Sequence, residues 1–249
     1  MREVRYRDRE GVTRTGTWTS EGVRVDDQLL QAEEIEIRPP SDPSKIIGVG
    51  PNYYSNIEHY NREVPESPSD LLMFVKTVPN SLVSHGGTAR LRGPGEFHFE
   101  GEIGVVIGER CRNVSKERAE AVIKGYTCIN EITNKGVSES RYDQGNRVRS
   151  KSFDDSAPVG PAVATPEFVP DDAVLEVRVG GERRQRDRRS ELIHAVPTLI
   201  EEISSYLTLE PGDIIATGSP EGVGPLSDGD TVEVEVEGVG TLEHDVEIE

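Results

Sequence analysis

The residues with the most chemistry in them are two glutamates in "HFEGEIGVVIG", His98 to Gly108. Glu100 and Glu102 open a run (Ile103, Val105, Val106 and Ile107 between glycines) that otherwise suits a buried strand. Side chains alternate along a strand, so the two carboxylates share a face, and His98 joins them if the strand begins that early. Like charges on one face repel, and burying a carboxylate is costly without compensation. Three arrangements meet that description: a solvated strand end, a general acid and base pair, or an oxygen-only site for a hard divalent cation. The segment "TVEVEVEG" illustrates the first, with Glu233, Glu235 and Glu237 alternating with valines as a wet face. Glu131 in "GYTCINEIT" is a third carboxylate stranded in apolar sequence. One cation explains three such carboxylates better than three separate accidents.

Positioning these groups requires strands, and the hydrophobic pattern predicts them. Residues 1 to 38 alternate short apolar runs with turn residues, up to the break "RPPSDPS". "KIIGVG" and "LLMFVK" read as strands, and "SNIEHYNREV" between them as a short helix ended by Pro65. "SKERAEAVIKGY" predicts a helix capped by Ser115 and stopped at Gly125, and "ELIHAVPTLIEEISSYLTL" a second with a proline-marked boundary. "GDIIATG", "TVEVEVEGVG" and "TLEHDVEIE" are strand and turn, and "RRQRDRR" reads as a solvated turn. Strands outnumber helices without a regular βα repeat, which gives a β-rich α+β class.

Composition narrows the function. A length of 249 residues allows one large domain, or one with a small appendage. A net charge of −18 argues against nucleic acid and anionic membranes as partners. No apolar run approaches the length of a membrane span, and the charged opening "MREVRYRDRE" is not expected to act as a secretory signal. Cys111 and Cys128 are expected as unpaired thiols, so a cytoplasmic location is expected. Acidic surplus with only six lysines among 28 basic residues fits adaptation to a high-salt (halophilic) interior, with an ordinary acidic protein as the plain alternative.

The segments "KIIGVGPNY", "FVK", "FEGEIGVVIG", "GYTCINEIT", "RSKSFDDSAPVGP" and "LEPGDIIATGSPEGVG" stand in an order that resembles the fumarylacetoacetate hydrolase family. The resemblance implies a mixed β-sandwich roll over 45–249, a small N-terminal β-domain over 1–40, and a homodimer. It implies Mg²⁺ or Mn²⁺ held by Glu100, Glu102 and Glu131, the last where the family normally carries Asp. It implies hydrolysis of a carbon–carbon bond in an acylpyruvate-like 2-oxo acid. The alternatives are oxaloacetate-type decarboxylation, isomerisation of a 2-hydroxyhepta-2,4-diene-1,7-dioate type of acid, or a degraded member that only binds. Lys151 matches the family's lysine near the metal, and Asn52 and Tyr53 begin a lid-like helix. Thr217, Gly218 and Ser219 line the substrate by the same resemblance, and Asn52, Tyr53 and Asn56 are expected to contact it too.

The family's helix carries His and then Glu three residues on, whereas this chain has Asn56 and His59. Asn is no general base. His59, oriented by Glu63 one turn on, is the candidate base, and otherwise the hydrolytic base is absent. Asn134, Lys135, Gly136 and Ser138 replace the family's usual pocket loop, so substrate choice is not inherited from any one relative.

Overall fold

The computed structural model describes residues 1–31, 34–137 and 147–249, and Ser138 lies outside them. In chain order the first strands are β1 (Arg2–Arg7), β2 (Thr13–Thr19), β3 (Gly22–Val25), β4 (Gln28–Leu30) and β5 (Glu36–Ile37). Next come β6 (Ile46–Gly50), helix α1 (Tyr54–Tyr60), β7 (Leu72–Lys76), β8 (Leu82–Ser84) and β9 (Thr88–Leu91). The middle of the chain forms β10 (Glu96–Phe99), β11 (Gly101–Ile107), β12 (Ile123–Asn130), β13 (Thr133–Lys135) and helix α2 (Val148–Lys151). Beyond these lie β14 (Ala157–Ala164), β15 (Val174–Val179), β16 (Glu182–Arg188) and α3 (Val196–Tyr206). The chain closes with β17 (Ile214–Ala216), β18 (Gly224–Pro225), β19 (Thr231–Val236) and β20 (Gly240–Ile248).

The described residues form three sheets, in a strand-rich α+β fold. The large one runs β4-β3-β2-β1-β14-β12-β11-β17-β6-β7, with β5 on β1 and β8 on β14. A five-stranded sheet runs β16-β15-β19-β20-β9, and a small one β13-β10-β18. β11 and β14, buried throughout, and β12, buried from Gly125 onward, are near-continuous apolar runs, as central strands are. In β19 the valines are buried while Glu235 is exposed, the period-two pattern of a sheet with one wet face. The N-terminal strands extend the large sheet, because β1 pairs with β14 at Arg2↔Ala164 and Glu3↔Val163. They add a small core of Val4, Tyr6, Val23 and Ile37 against Ala162.

One bend positions the site. β11 pairs with β12 in the large sheet, from Gly101↔Asn130 onward, while β10 pairs with β13 in the small sheet at His98↔Thr133. A single antiparallel arm therefore creases at Glu100 on one side and at Glu131 on the other, passing from one sheet into the next.

Several expectations change. Helix α1 stops at Tyr60, because Asn61 takes a left-handed conformation (φ 49°) and donates its N–H to Glu58 O and Ile57 O. Residues 116–122 form only a 3₁₀ helix, and Ile123 onward is recruited into β12, so Gly125 lies within a strand. The "RRQRDRR" segment is the edge strand β16 rather than a turn, with its arginines largely exposed and Gln185 buried. Helix α3 begins only after Ala195, with its proline in the first turn. Cys128 is buried and Cys111 half-buried, both as free thiols. Among the described residues no helix is long and apolar enough to cross a membrane.

Candidate metal centre and cavity

At the crease the backbone leaves its sheet ladder, and side chains take over its hydrogen bonds. Glu100 N–H donates to Asn130 Oδ1 (3.0 Å), and Glu100 O accepts from Glu131 N–H (2.8 Å). Gly101 N–H donates to Gln185 Oε1 (3.0 Å), and Gly101 O accepts from Ser219 Oγ (3.0 Å). A Cβ at Gly101 would lie 2.1 Å from Val177 Cγ2, so only glycine allows the five-stranded sheet to approach here. These bonds place one carboxylate oxygen each of Glu100, Glu102 and Glu131 within 4.8 Å of one another.

The three carboxylates are unequally compensated. Glu131, 1% exposed, meets Lys76 Nζ at 2.7 Å and is bonded by Lys151 and by Thr133 Oγ1 (3.2 Å). Glu100 lies 3.4 Å from Lys151 Nζ. Glu102, 2% exposed, accepts from Gly218 N–H (2.7 Å) and has no cation in contact among the described residues. Gly218 makes that bond from φ +103°, a conformation natural to glycine.

Burial, with the charges of Glu131 and Glu100, pushes the Glu102 carboxyl well above the usual carboxylate range. Burial also raises Glu131, against the pull of Lys151 and Lys76. For Glu100 burial is the largest single influence, but Lys151, Thr133 and Lys135 together outweigh it, and its carboxyl falls below the usual value. Burial would lower Lys151, but Glu100 and Glu131 overcome it and hold the ammonium charged. Lys76 is lowered, because burial there wins over Glu131.

A buried, all-oxygen set with one carboxylate starved of donors fits a hard divalent cation. The residues present therefore suit Mg²⁺ or Mn²⁺.

The trio opens into a cavity of about 550 Å³, walled on its apolar side by Val49, Pro51, Leu72 and Phe74. Asn56, Tyr60, Arg62, Lys135, Arg147 and Lys151 supply its polar wall, together with Ser219. Among the expected substrate contacts, only Asn56 and Ser219 therefore reach the cavity. Asn52 is a buried clamp, its Nδ2 donating to Thr217 O (2.9 Å) and His194 O (3.1 Å) and its Oδ1 accepting His194 N–H (2.8 Å). Tyr53 is fully buried at the start of α1, and Thr217 Oγ1 donates inward to Ile103 O (3.0 Å).

His59 is about half exposed, off the cavity wall, with Nδ1 3.6 Å from Glu221. Glu63 lies beyond the end of α1, so the one-turn pairing with His59 does not form. His98 does not join the trio either: it belongs to β10, in the small sheet, and bonds Glu96.

Lys76, Thr133, Asn130 and Gln185 were missed by sequence reasoning. Lys76 had a visible signal, a lysine ending the apolar run "LLMFV".

Residues 45–247 match the model of the fumarylacetoacetate (FAA) hydrolase C-terminal family. The chain belongs to the fumarylacetoacetate hydrolase family. It is 35% identical over 243 residues to a 4-hydroxyphenylacetate degradation bifunctional isomerase/decarboxylase of Escherichia coli, covering 96% of this chain and 55% of that one. The 5-carboxymethyl-2-hydroxymuconate delta-isomerase structure from Mycobacterium smegmatis superposes with a TM-score of 0.86 at 33% identity, covering 100% of this chain and 99% of that one. The maleylpyruvate hydrolase of Sphingobium sp. SYK-6, in complex with manganese(II) and pyruvate, gives 0.80 at 26% identity with the same coverage.

Proposed function

We propose that this chain is a divalent-cation-dependent enzyme acting on a 2-oxo acid that bears a second carboxylate. In this reading it shifts a double bond or releases carbon dioxide, and does not add water across a carbon–carbon bond. The observation that carries the choice is the cavity wall. Asn56 stands where the family's usual base would be, and no imidazole lines the cavity among the described residues. Hydrolysis needs a group that takes a proton from water, and a carboxamide cannot.

A cation held by Glu100, Glu102 and Glu131 supplies Lewis acidity toward the carboxylate and keto oxygens of a 2-oxo acid. The chain's own residues do the rest. Lys151, kept charged by its two glutamates, faces the negative charge that builds on the substrate's oxygen. In decarboxylation the bond to the distal carboxylate breaks, its electron pair stays with the adjacent carbon, carbon dioxide leaves and one proton is taken up. In isomerisation of a 2-hydroxydienedioate the enol oxygen gives up its proton as the keto group forms, and a proton is returned to a carbon further along the chain, so composition is unchanged. Neither consumes water. Asn56 Nδ2 is fixed on Ser219 O (3.2 Å), and its Oδ1 has no partner among the described residues, which leaves an acceptor for a substrate hydroxyl. Arg62 stacks 4.8 Å over the Tyr60 ring on the same wall and has no ion-pair partner among the described residues. It is suited to the second carboxylate. The names of the Escherichia coli and Mycobacterium smegmatis relatives support the reaction class, and the manganese of the Sphingobium protein supports the cation.

The test is turnover by Mn²⁺-loaded protein of oxaloacetate, a 2-hydroxydienedioate and an acylpyruvate. One of the first two should be consumed, the third spared, and His59→Ala should leave these rates unchanged. Acylpyruvate cleavage that disappears in His59→Ala would instead establish hydrolysis with His59 as the base. Arg62→Gln should raise KM for the dicarboxylic substrates about tenfold, with kcat preserved, as expected for a lost charge-assisted contact away from the reacting bond.

A further inference from the structure

Gln185 is fully buried, yet it comes from the exposed edge strand β16 of the five-stranded sheet and plays no part in the chemistry above. Its amide is fully engaged at the crease. Oε1 accepts the N–H of Gly101, the residue between two of the three carboxylates. Nε2 lies within donor range of Ser219 Oγ (2.9 Å), Pro220 O (2.9 Å) and Glu221 O (3.1 Å). Ser219 Oγ in turn donates to Gly101 O, which closes a ring of bonds around one residue and its two flanking peptides. The turn that Nε2 holds also presents Gly218 N–H to Glu102. One side chain thus fixes the backbone between Glu100 and Glu102 and also the donor that aims Glu102.

We infer that Gln185 is the positioning residue of the centre, setting the separation of Glu100 and Glu102 from a strand in another sheet. This rests on the cation reading only for its affinity readout. Isothermal titration of Gln185→Ala with Mn²⁺ should show affinity reduced about 10- to 100-fold, the usual effect of losing a partner behind the ligands. In the cation-free protein the Gly101 and Gly218 amides should exchange with solvent faster than in wild type, while those of β19 and β20 stay protected. Val4→Ala, in the separate N-terminal core, should lower Tm yet leave Mn²⁺ affinity and both amides unchanged, which distinguishes positioning from general destabilisation.

Unchanged Mn²⁺ affinity in Gln185→Ala overturns the inference, whatever happens to Tm. If wild type itself binds no Mn²⁺, the cation reading fails and the amides decide. Faster exchange at Gly101 and Gly218 upholds the positioning role, and retained protection overturns it.

Discussion

Two buried carboxylates on neighbouring strands of the large sheet differ in almost every other respect. Asp213 precedes β17 and Glu102 lies in β11, and these strands pair directly. Asp213 accepts Ser44 N–H (2.9 Å), Ser44 Oγ (2.7 Å), Lys45 N–H (3.1 Å) and Glu210 N–H (2.8 Å), and is paired with Lys45 Nζ. Although burial works against it, Lys45 and these donors hold its carboxyl below the ordinary aspartate value. Glu102 has one backbone donor and two carboxylate neighbours, and its carboxyl is pushed the other way. Burial alone does not mark a functional carboxylate. The marker is burial without enough protein donors, a deficit that something from outside the chain must fill.

The sharpest way to break this contrast is Glu102→Gln. Mn²⁺ affinity should fall by more than about 100-fold, beyond what outer partners cost. The cation-free protein should keep its Tm, because the amide is isosteric and keeps an oxygen to accept Gly218 N–H. A mutant that binds Mn²⁺ like wild type would dissolve the distinction between the two residues.

Asp213→Ala should do the reverse, costing about 3 kcal/mol in denaturant unfolding because several buried donors lose their acceptor. Its Mn²⁺ affinity should be unchanged. The sign with pH follows from the depressed carboxyl: Asp213's contribution is full above the ordinary aspartate value and is lost as pH falls through the folded-state value. The stability gap between wild type and Asp213→Ala should therefore narrow on the acid side, and a gap that widens there would contradict this assignment. Smallest is Thr133→Val, which removes the hydroxyl bonding Glu131 and Lys151. Because Lys76 and Lys151 still hold Glu131, Mn²⁺ affinity should fall by less than about tenfold, the low end for such partners.

What the sequence revealed was the ladder-forming material. The apolar runs of β6, β7, β11 and β17 and the alternation of β19 and β20 read directly as strands, and the three glutamates stood out because they interrupt such runs. Local propensity misled where tertiary pairing overrode it. "SKERAEAVIKGY" has helix formers, yet pairing with β11 and β14 claims Ile123 onward. Gln185 was hidden among arginines, because period-two burial of a single polar residue in a charged edge strand leaves no hydrophobic signal. Asn61 could have been read as the stop of α1, since Asn tolerates the left-handed conformation, and that would have separated Glu63 from His59 beforehand.

The crease in the β10–β11 and β12–β13 arm has a mechanical side. Glu100 and Glu131 lie on its two flanks, so an ion gripped by both acts as a rivet between two sheets. A rivet at 100 times its Kd adds about 2.7 kcal/mol to the folded state. That gain falls where the arm bends, so occupancy would set how stiffly the small sheet is braced against the large one.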